Sequence, residues 1–377
     1  MKEVTLVATA AMGLESLVAD EVKQLGYEVE VENGKVIFTA PLSAIPRCNL
    51  WLRTADRLKI VIGKFKAVSF DELFESVKAL PWENYIEEDG QFPVTGKSVK
   101  SKLFSVSDCQ SITKKAIAER LKLKYGLASN MPETGALYKI EVSILKDEAT
   151  LTIDTSGAGL HKRGYRIGQG EAPLKETLAA ALVLLTNWKP DDPMIDPFCG
   201  SGTIPIEAAL IGQNIAPGFN REFVSEEWKL INEKYWQEAF EEAEDKAKYD
   251  QELEIYGSDI DHKSIQTAAN NATEAGLGDL ISWKQMQVKD LHISRENGYL
   301  IGNPPYGERI GDKSKVAEIY QALGEVMKDH TSWSVYILTA FEKFEHKYGM
   351  TATKKRKLFN GFIQTNYYQY FGKKSFT

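Results

Sequence analysis

Three short stretches combine residue types that could do chemistry together. Met194-Ile195-Asp196-Pro197-Phe198-Cys199-Gly200-Ser201-Gly202-Thr203 reads as a strand ending in an acid, a glycine-rich turn and the start of a helix. Glycines let a ligand approach the backbone closely, and a helix start offers free N–H groups. The turn has neither the G-x-G-x-x-G spacing nor a Gly-Lys-Ser/Thr ending, so it is not a dinucleotide or phosphate loop. An acid at the strand end repels phosphate but suits a cation, such as the amino group of S-adenosylmethionine. The second stretch, Tyr256-Gly257-Ser258-Asp259-Ile260-Asp261, again ends a strand in an acid. Nucleotide-binding α/β sheets hold ribose hydroxyls at that point, because a carboxylate accepts both; the alternative for Asp259 is a helix N-cap. Asp290 is a cap or loop acid, or in this context an acceptor for an adenine amine. The third stretch is Asn303-Pro304-Pro305-Tyr306-Gly307. Its prolines fix φ and remove N–H groups, so the turn is stiff. The Asn303 side chain and the Pro304 carbonyl can accept the two hydrogens of an exocyclic amine, and Tyr306 offers a face on which a base can stack.

The elements that must carry these stretches follow from periodicity. Apolar residues at helical spacing (174–187, 203–211, 263–276, 315–328) alternate with short strands at 193–195, 254–258, 281–285, 298–301 and 333–340. A final aromatic-rich strand pair is expected over 357–371. Such alternation predicts a doubly wound, mostly parallel sheet. Upstream, the order β-α-β-β-α-β over residues 1–65, with Asn33-Gly34 as a hairpin turn, predicts a ferredoxin-like module. Residues 66–157 read as a second α+β module, with a helix capped at Asp108 and running to Tyr125. Residues 158–377 are the linker and the α/β domain. An insertion at 213–253 accounts for the long interval between Asp196 and Asp259.

Taken together, these motifs resemble the class I S-adenosylmethionine-dependent methyltransferases that act on exocyclic base amines. With its two N-terminal modules, the chain resembles the bacterial THUMP-domain methyltransferases of guanine N2 in large-subunit (23S) ribosomal RNA. Members of that family are often described as N6-adenine-specific DNA methylases. The resemblance implies an α+β N-terminal half, ferredoxin-like plus an RNA-binding THUMP domain, ahead of a Rossmann-like methyltransferase. It maps Asp196, Pro197, Phe198, Gly200 and Gly202 to the methionine-binding turn, Asp259 and Ile260 to ribose and adenine, and Asp290 to the adenine amine. Asn303, Pro304 and Tyr306 map to the target amine. S-adenosylhomocysteine would be the product. Alternatives are an adenine-N6 DNA methyltransferase, a tRNA guanine-N2 methyltransferase and a non-catalytic RNA-binding assembly factor.

The net charge of −7 over 377 residues argues against a chain coated in basic residues. It hides a polarised distribution, however. Residues 91–130 hold eight basic residues against two acidic, and 222–254 hold twelve acidic against four basic. Lys97, Lys100, Lys102, Lys114 and Lys115 are the candidate RNA contacts. His161-Lys162-Arg163 with Arg166 reads as a basic linker. Lys354-Lys355-Arg356-Lys357 is either a substrate contact or a solvated loop. The cysteines (Cys48, Cys109, Cys199) form no C-x-x-C pair, and the five histidines have no ligand spacing, so no metal is expected. Cys199 has no evident base partner and reads as structural. No signal-like start and no run of 18 apolar residues occurs, which predicts a cytoplasmic protein with no membrane partner.

Overall fold

The computed structural model describes residues 3–167, 174–307 and 312–373. The chain resolves into two compact units. One takes the stretches ending at Ala10 and running Val18–Leu160 and Glu222–Glu242. The other takes Ala11–Leu17, His161–Arg221 and the chain from Ala243 onward. Both units therefore draw on separate stretches of the chain.

The first unit contains β1 (Glu3–Ala10), α1 (Glu15–Gln24, from Val18), β2 (Glu30–Glu32), β3 (Lys35–Pro41), α2 (Ala44–Trp51), β4 (Ala55–Lys66), α3 (Phe70–Ala79), β5 (Val94–Val99), α4 (Val106–Tyr125), β6 (Ile140–Leu145) and β7 (Glu148–Asp154). Its strands form one sheet in the order β2-β3-β1-β4-β7-β6-β5. The twelve-residue β4 joins the two expected modules: its first half pairs with β1, and Lys59–Lys66 pair with β7. Backbone pairing along one long strand merges them into a single sheet. The segment ahead of α4 contributes the short strand β5. The α4 helix starts at Val106, with Ser105 at the N-cap position, and Asp108 lies in its first turn, accepting from Ser105 Oγ at 2.5 Å.

Glu222–Glu242 joins this unit because of its aromatic residues. The Trp228 ring stacks on Tyr138 at 4.8 Å, and its Nε1 donates to the Leu137 carbonyl at 3.0 Å. Phe223 stacks on Trp236 at 5.3 Å. Arg47 grips the Glu242 carboxylate with two nitrogens, at 2.6 and 2.8 Å. The acidic insertion is thus an aromatic-anchored arm rather than a solvated appendage.

In the second unit, α5 (Glu176–Leu184), β8 (Met194–Asp196), α6 (Thr203–Gly212), α7 (Glu233–Lys246, whose last residues from Ala243 fall here), β9 (Ile255–Asp259), α8 (His262–Glu274), β10 (Ile281–Gln285), β11 (Tyr299–Gly302), α9 (Asp312–Met327), β12 (Ser334–Thr339), α10 (Phe344–Tyr348), β13 (Lys354–Asn360) and β14 (Ile363–Tyr370) follow in order. The sheet order is β10-β9-β8-β11-β12-β14-β13. The first five strands are parallel, and β14 and β13 are antiparallel. Near-continuous apolar strands such as Tyr299–Gly302 are buried throughout, as parallel strands covered on both faces must be. The α6 helix is apolar all round and almost wholly buried, which makes it a core helix. Its one carboxylate, Glu207, lies within 3.3 Å of Arg163 and accepts from the Tyr165 hydroxyl at 3.0 Å. Arg163 is 3% exposed, so it is an interior counter-ion and not part of a basic linker. No helix among the described residues is long and apolar enough to cross a membrane.

Candidate functional site at the sheet switch point

Connections from β8 run one way, to β9 and β10, while β11 lies on its other side. Such a reversal opens a crevice at the carboxyl ends of the strands. All three motifs converge there: Asp196 ends β8, Asp259 ends β9 and Asn303 follows β11. Two cavities of about 560 and 640 Å³ adjoin at this point and share Phe198, Gly200 and Asn303 as walls.

The glycine turn is tied down by its own backbone. Phe198 N–H donates to Asp196 Oδ1 at 3.0 Å, Cys199 N–H to the Ser258 carbonyl at 3.0 Å, and Gly200 N–H to Asp259 Oδ2 at 3.0 Å. Gly200 has φ +51°, and a Cβ built there would point into open space. Gly202 has φ +84°, and a Cβ would lie 2.8 Å from the Trp283 ring. The first glycine leaves room for a ligand; the second lets the helix close on its neighbours.

Asp196 is 1% exposed. Burial pushes its carboxyl up to about 8, and the negative charge of Asp259 adds to the effect. Among the described residues no cation pairs with it. A buried carboxylate held this way favours a cationic partner. Asp259 is not the N-cap; Asp261 is, accepting from Lys263 and Ser264 N–H. Asp259 Oδ1 accepts from Asp261 N–H at 2.9 Å, so both of its oxygens are oriented while lone pairs stay open to the cavity. Ile260 is 64% exposed beside it on the same cavity wall.

In the third motif the Tyr306 hydroxyl donates to Asn303 Oδ1 at 2.6 Å. The Tyr320 hydroxyl donates to the Pro305 carbonyl at 2.8 Å, pinning the turn from α9. The Pro304 carbonyl accepts no hydrogen bond among the described residues. Asn303 thus lines the crevice as a fixed acceptor.

Asp290 is not brought to this crevice. It ends a 3-10 turn, is exposed, and lines a neighbouring cavity of about 430 Å³ with Tyr256 and Trp283, which shares Met286 with the crevice. Met286, Gln287, Val288 and Lys289 form the crevice wall there instead. Residues that the sequence reading missed also join the site. Arg166 donates to Glu176 Oε1 at 2.8 Å, to Ser201 Oγ at 3.0 Å and to Thr203 Oγ1 at 3.2 Å. Asn271 donates to the Ser201 carbonyl at 2.9 Å and accepts from Ile167 N–H at 2.9 Å. Arg166 lies thirty residues before the strand-end acid and carries no local signal of this role. Cys199 is buried and its thiol is pushed far up by burial, as befits an inert side chain. Among the described residues no group of His, Cys, Asp and Glu is placed to hold a metal.

The candidate RNA lysines divide between two faces of the first unit's sheet. A Cβ on Gly96 would meet Gln110 and Val106 of α4, so its neighbour Lys97 points away from that helix. Lys97 ion-pairs with Glu141 at 3.0 Å, beside Lys59. Lys100 and Lys102 are exposed beyond β5. Lys114 pairs with Glu133 at 2.9 Å, and Lys115 lies over the Phe74 ring on the helical side.

Comparison with known proteins gives three matches along the chain: an RlmL ferredoxin-like domain over residues 5–59, a THUMP domain over 67–154 and an RMKL-like methyltransferase domain over 163–369. A Bacillus subtilis protein named "Putative RNA methyltransferase YpsC" is 62% identical over 374 residues, covering 99% of this chain and 97% of that one. The "Ribosomal RNA large subunit methyltransferase K/L" of a Shewanella strain is 34% identical over 368 residues; the match covers 95% of this chain and spans about half (51%) of that protein. The crystal structure of "SMU.472, a putative methyltransferase complexed with SAH" superposes with a TM-score of 0.96 at 48% identity over the full length of both chains. That of a "predicted N6-adenine-specific DNA methylase" from Listeria monocytogenes superposes with a TM-score of 0.96 at 62% identity, covering 99% of this chain and 97% of that one.

Proposed function

The chain belongs to the RMKL-like methyltransferase family, and from that premise we propose that it methylates the exocyclic N2 amine of a guanine in large-subunit ribosomal RNA, in the cytoplasm. S-adenosylmethionine is the cofactor. The observation that carries the reading is the convergence of Asp196, Asp259 and Asn303 on one crevice. Asp196 holds the cofactor's amino group, Gly200 and Gly202 its methionine end, Asp259 the ribose hydroxyls, and Ile260 with Val288 the adenine face. Arg166 steadies the turn through Ser201 and Thr203. When bound, S-adenosylmethionine supplies an electrophilic methyl group on its sulfonium. Asn303 Oδ1 and the Pro304 carbonyl accept the hydrogens of the target amine. That raises electron density on its nitrogen and aims the lone pair at the methyl, after which the amine's spare proton leaves to solvent. Orientation of this kind contributes up to about 7–11 kcal/mol in the best cases. Tyr306 keeps Asn303 in its rotamer and offers its ring to the base.

The test is transfer of tritiated methyl from S-adenosylmethionine to RNA and DNA from cells lacking the gene, followed by nucleoside analysis. Label in large-subunit RNA as N2-methylguanosine is expected. Label as N6-methyladenine in DNA would overturn the reading, and label in transfer RNA would replace its substrate. The Asn-Pro-Pro-Tyr turn reads an amine and not a base, so this experiment decides between them.

Lys97, Lys100 and Lys102 provide the RNA contacts nearest the end of β5. Their replacement by Glu is expected to weaken RNA binding and to lower the slope of log K against log salt by about 2–3. A filter-binding salt titration checks this, and an unchanged slope moves the RNA to another face.

A further inference from the structure

The hairpin of β13 and β14 turns at Gly361 and Phe362, between the paired residues Asn360 and Ile363, with Gly361 at φ +61°. Phe362 at its tip is fully exposed, with a relative exposure of 106%. Gly361 supplies the positive φ of the first loop position, and the second, held by Phe362, asks for no aromatic side chain. A phenylalanine held out in water at that point does nothing for the fold. Two further observations say what meets it. Asn360 Nδ2 donates to the Tyr306 hydroxyl at 3.3 Å, and that hydroxyl donates on to Asn303 Oδ1 at 2.6 Å. The residue that enters the hairpin turn is therefore linked through the Tyr306 hydroxyl to Asn303. The strand leading into it is basic, and its four cations are used unequally. Lys355 is bound to Glu345 at 2.7 Å, and Arg356 to the Gly13 carbonyl at 3.1 Å and Ser16 Oγ at 3.2 Å. Lys354 and Lys357 are exposed and have no ion-pair partner among the described residues. Lys357 Nζ sits 5.5 Å over the Phe359 ring.

Resting on the reading of an RNA substrate, we propose that Phe362 is a wedge that stacks in the RNA position vacated by the target guanine, while Lys357 holds a flanking phosphate. A base stacked in RNA cannot present its amine to the bottom of a crevice; it has to be turned out of the stack. An aromatic ring replaces the lost stacking on either neighbour without regard to sequence. Asn360 sets the distance between wedge and acceptor, so that the base extruded by one arrives at the other. Lys355 and Arg356 are positioning residues that fix the hairpin.

The test compares wild type, Phe362→Ala and Phe362→Trp on ribosomal RNA from cells lacking the gene, with tritiated S-adenosylmethionine. Binding of S-adenosylhomocysteine is measured in parallel. The alanine variant is expected to lose tenfold or more in kcat, with KM for RNA within threefold and cofactor affinity unchanged. The tryptophan variant is expected to stay within threefold of wild type. Three results overturn the wedge: an alanine variant within twofold of wild type, a tryptophan variant as slow as alanine, or an effect confined to KM, which would make Phe362 a docking contact. A wild type that labels no RNA overturns the RNA reading itself and the wedge with it. That outcome differs from an active wild type indifferent to Phe362.

Discussion

Replacing Asn303 by alanine is expected to lower methyl transfer by about two to three orders of magnitude, the loss typical of one polar contact made to the reacting group. Affinity for S-adenosylhomocysteine should stay within about threefold. The asymmetry follows from position. Asn303 is on the wall shared by the two cavities, but the glycine turn proposed to hold the cofactor's amino-acid end hangs on Asp196, Asp259 and backbone N–H groups of residues 198–200. Removing the amide also takes away the oxygen to which the Tyr306 hydroxyl donates, while the contact of that hydroxyl with Asn360 remains. The alanine variant thus loses both the acceptor and part of the frame that orients the base. Single-turnover transfer with saturating cofactor separates this from a binding defect. Transfer within threefold of wild type would remove Asn303 from the chemistry.

The second large effect concerns Asp196. Its carboxyl is pushed up to about 8 by burial, against 3.8 for the free group. In the cofactor-free protein the folded state therefore holds a proton between about pH 4 and pH 8 that the unfolded chain has released. Stability contributed by this group is present at low pH and declines as pH rises across that window. The cofactor's ammonium reverses the preference by favouring the ionised carboxylate. Affinity for S-adenosylhomocysteine is expected to rise with pH between 6 and 8, by up to about tenfold per unit. About one proton should leave per ligand bound near pH 6.5. Calorimetry in two buffers of different ionisation enthalpy counts that proton. Asp196→Asn should release none, show a flat pH profile and bind about a hundredfold more weakly, since it leaves the buried ammonium without its partner. A wild-type affinity independent of pH would show that Asp196 does not receive the cation.

The sequence makes the centre of the α/β unit legible because each candidate site residue there sits within a few positions of a strand end. Asp196, Asp259 and Asn303 are each preceded by a short apolar run, and strand ends in a doubly wound sheet converge by topology alone. Asp290 lines a neighbouring cavity for the same reason. It lies five residues beyond the end of β10, after an irregular turn, and no periodicity fixes where such a residue points. Arg163 and Arg166 look like one basic linker on paper. In the structure the first neutralises Glu207 inside the core and the second braces Ser201 and Thr203. Both roles are set by partners 35 or more residues away. The merger of two modules into one sheet turns on the length of β4, and the pairing of Trp228 with Tyr138 spans ninety residues. Local pattern carries no record of such contacts, whereas hairpins and helices are written within a dozen residues.

The arm at Glu222–Glu242 sets the order in which the molecule can be completed during synthesis. The first unit lacks a wall until residue 242 has been made, because Phe223, Trp228 and Trp236 are almost wholly buried in it. The second unit begins earlier than it seems: Leu14, from the segment Ala11–Leu17, is 2% exposed in its core. Neither unit is a contiguous length of chain, so each must wait for the other's polypeptide. A fragment cut at the apparent linker near residue 160 would expose aromatic docking surface on one piece and a core vacancy on the other. Contacts across such separations make folding slow and cooperative. The chain is therefore one folding problem divided into two bodies, and not two domains joined by a hinge of sequence.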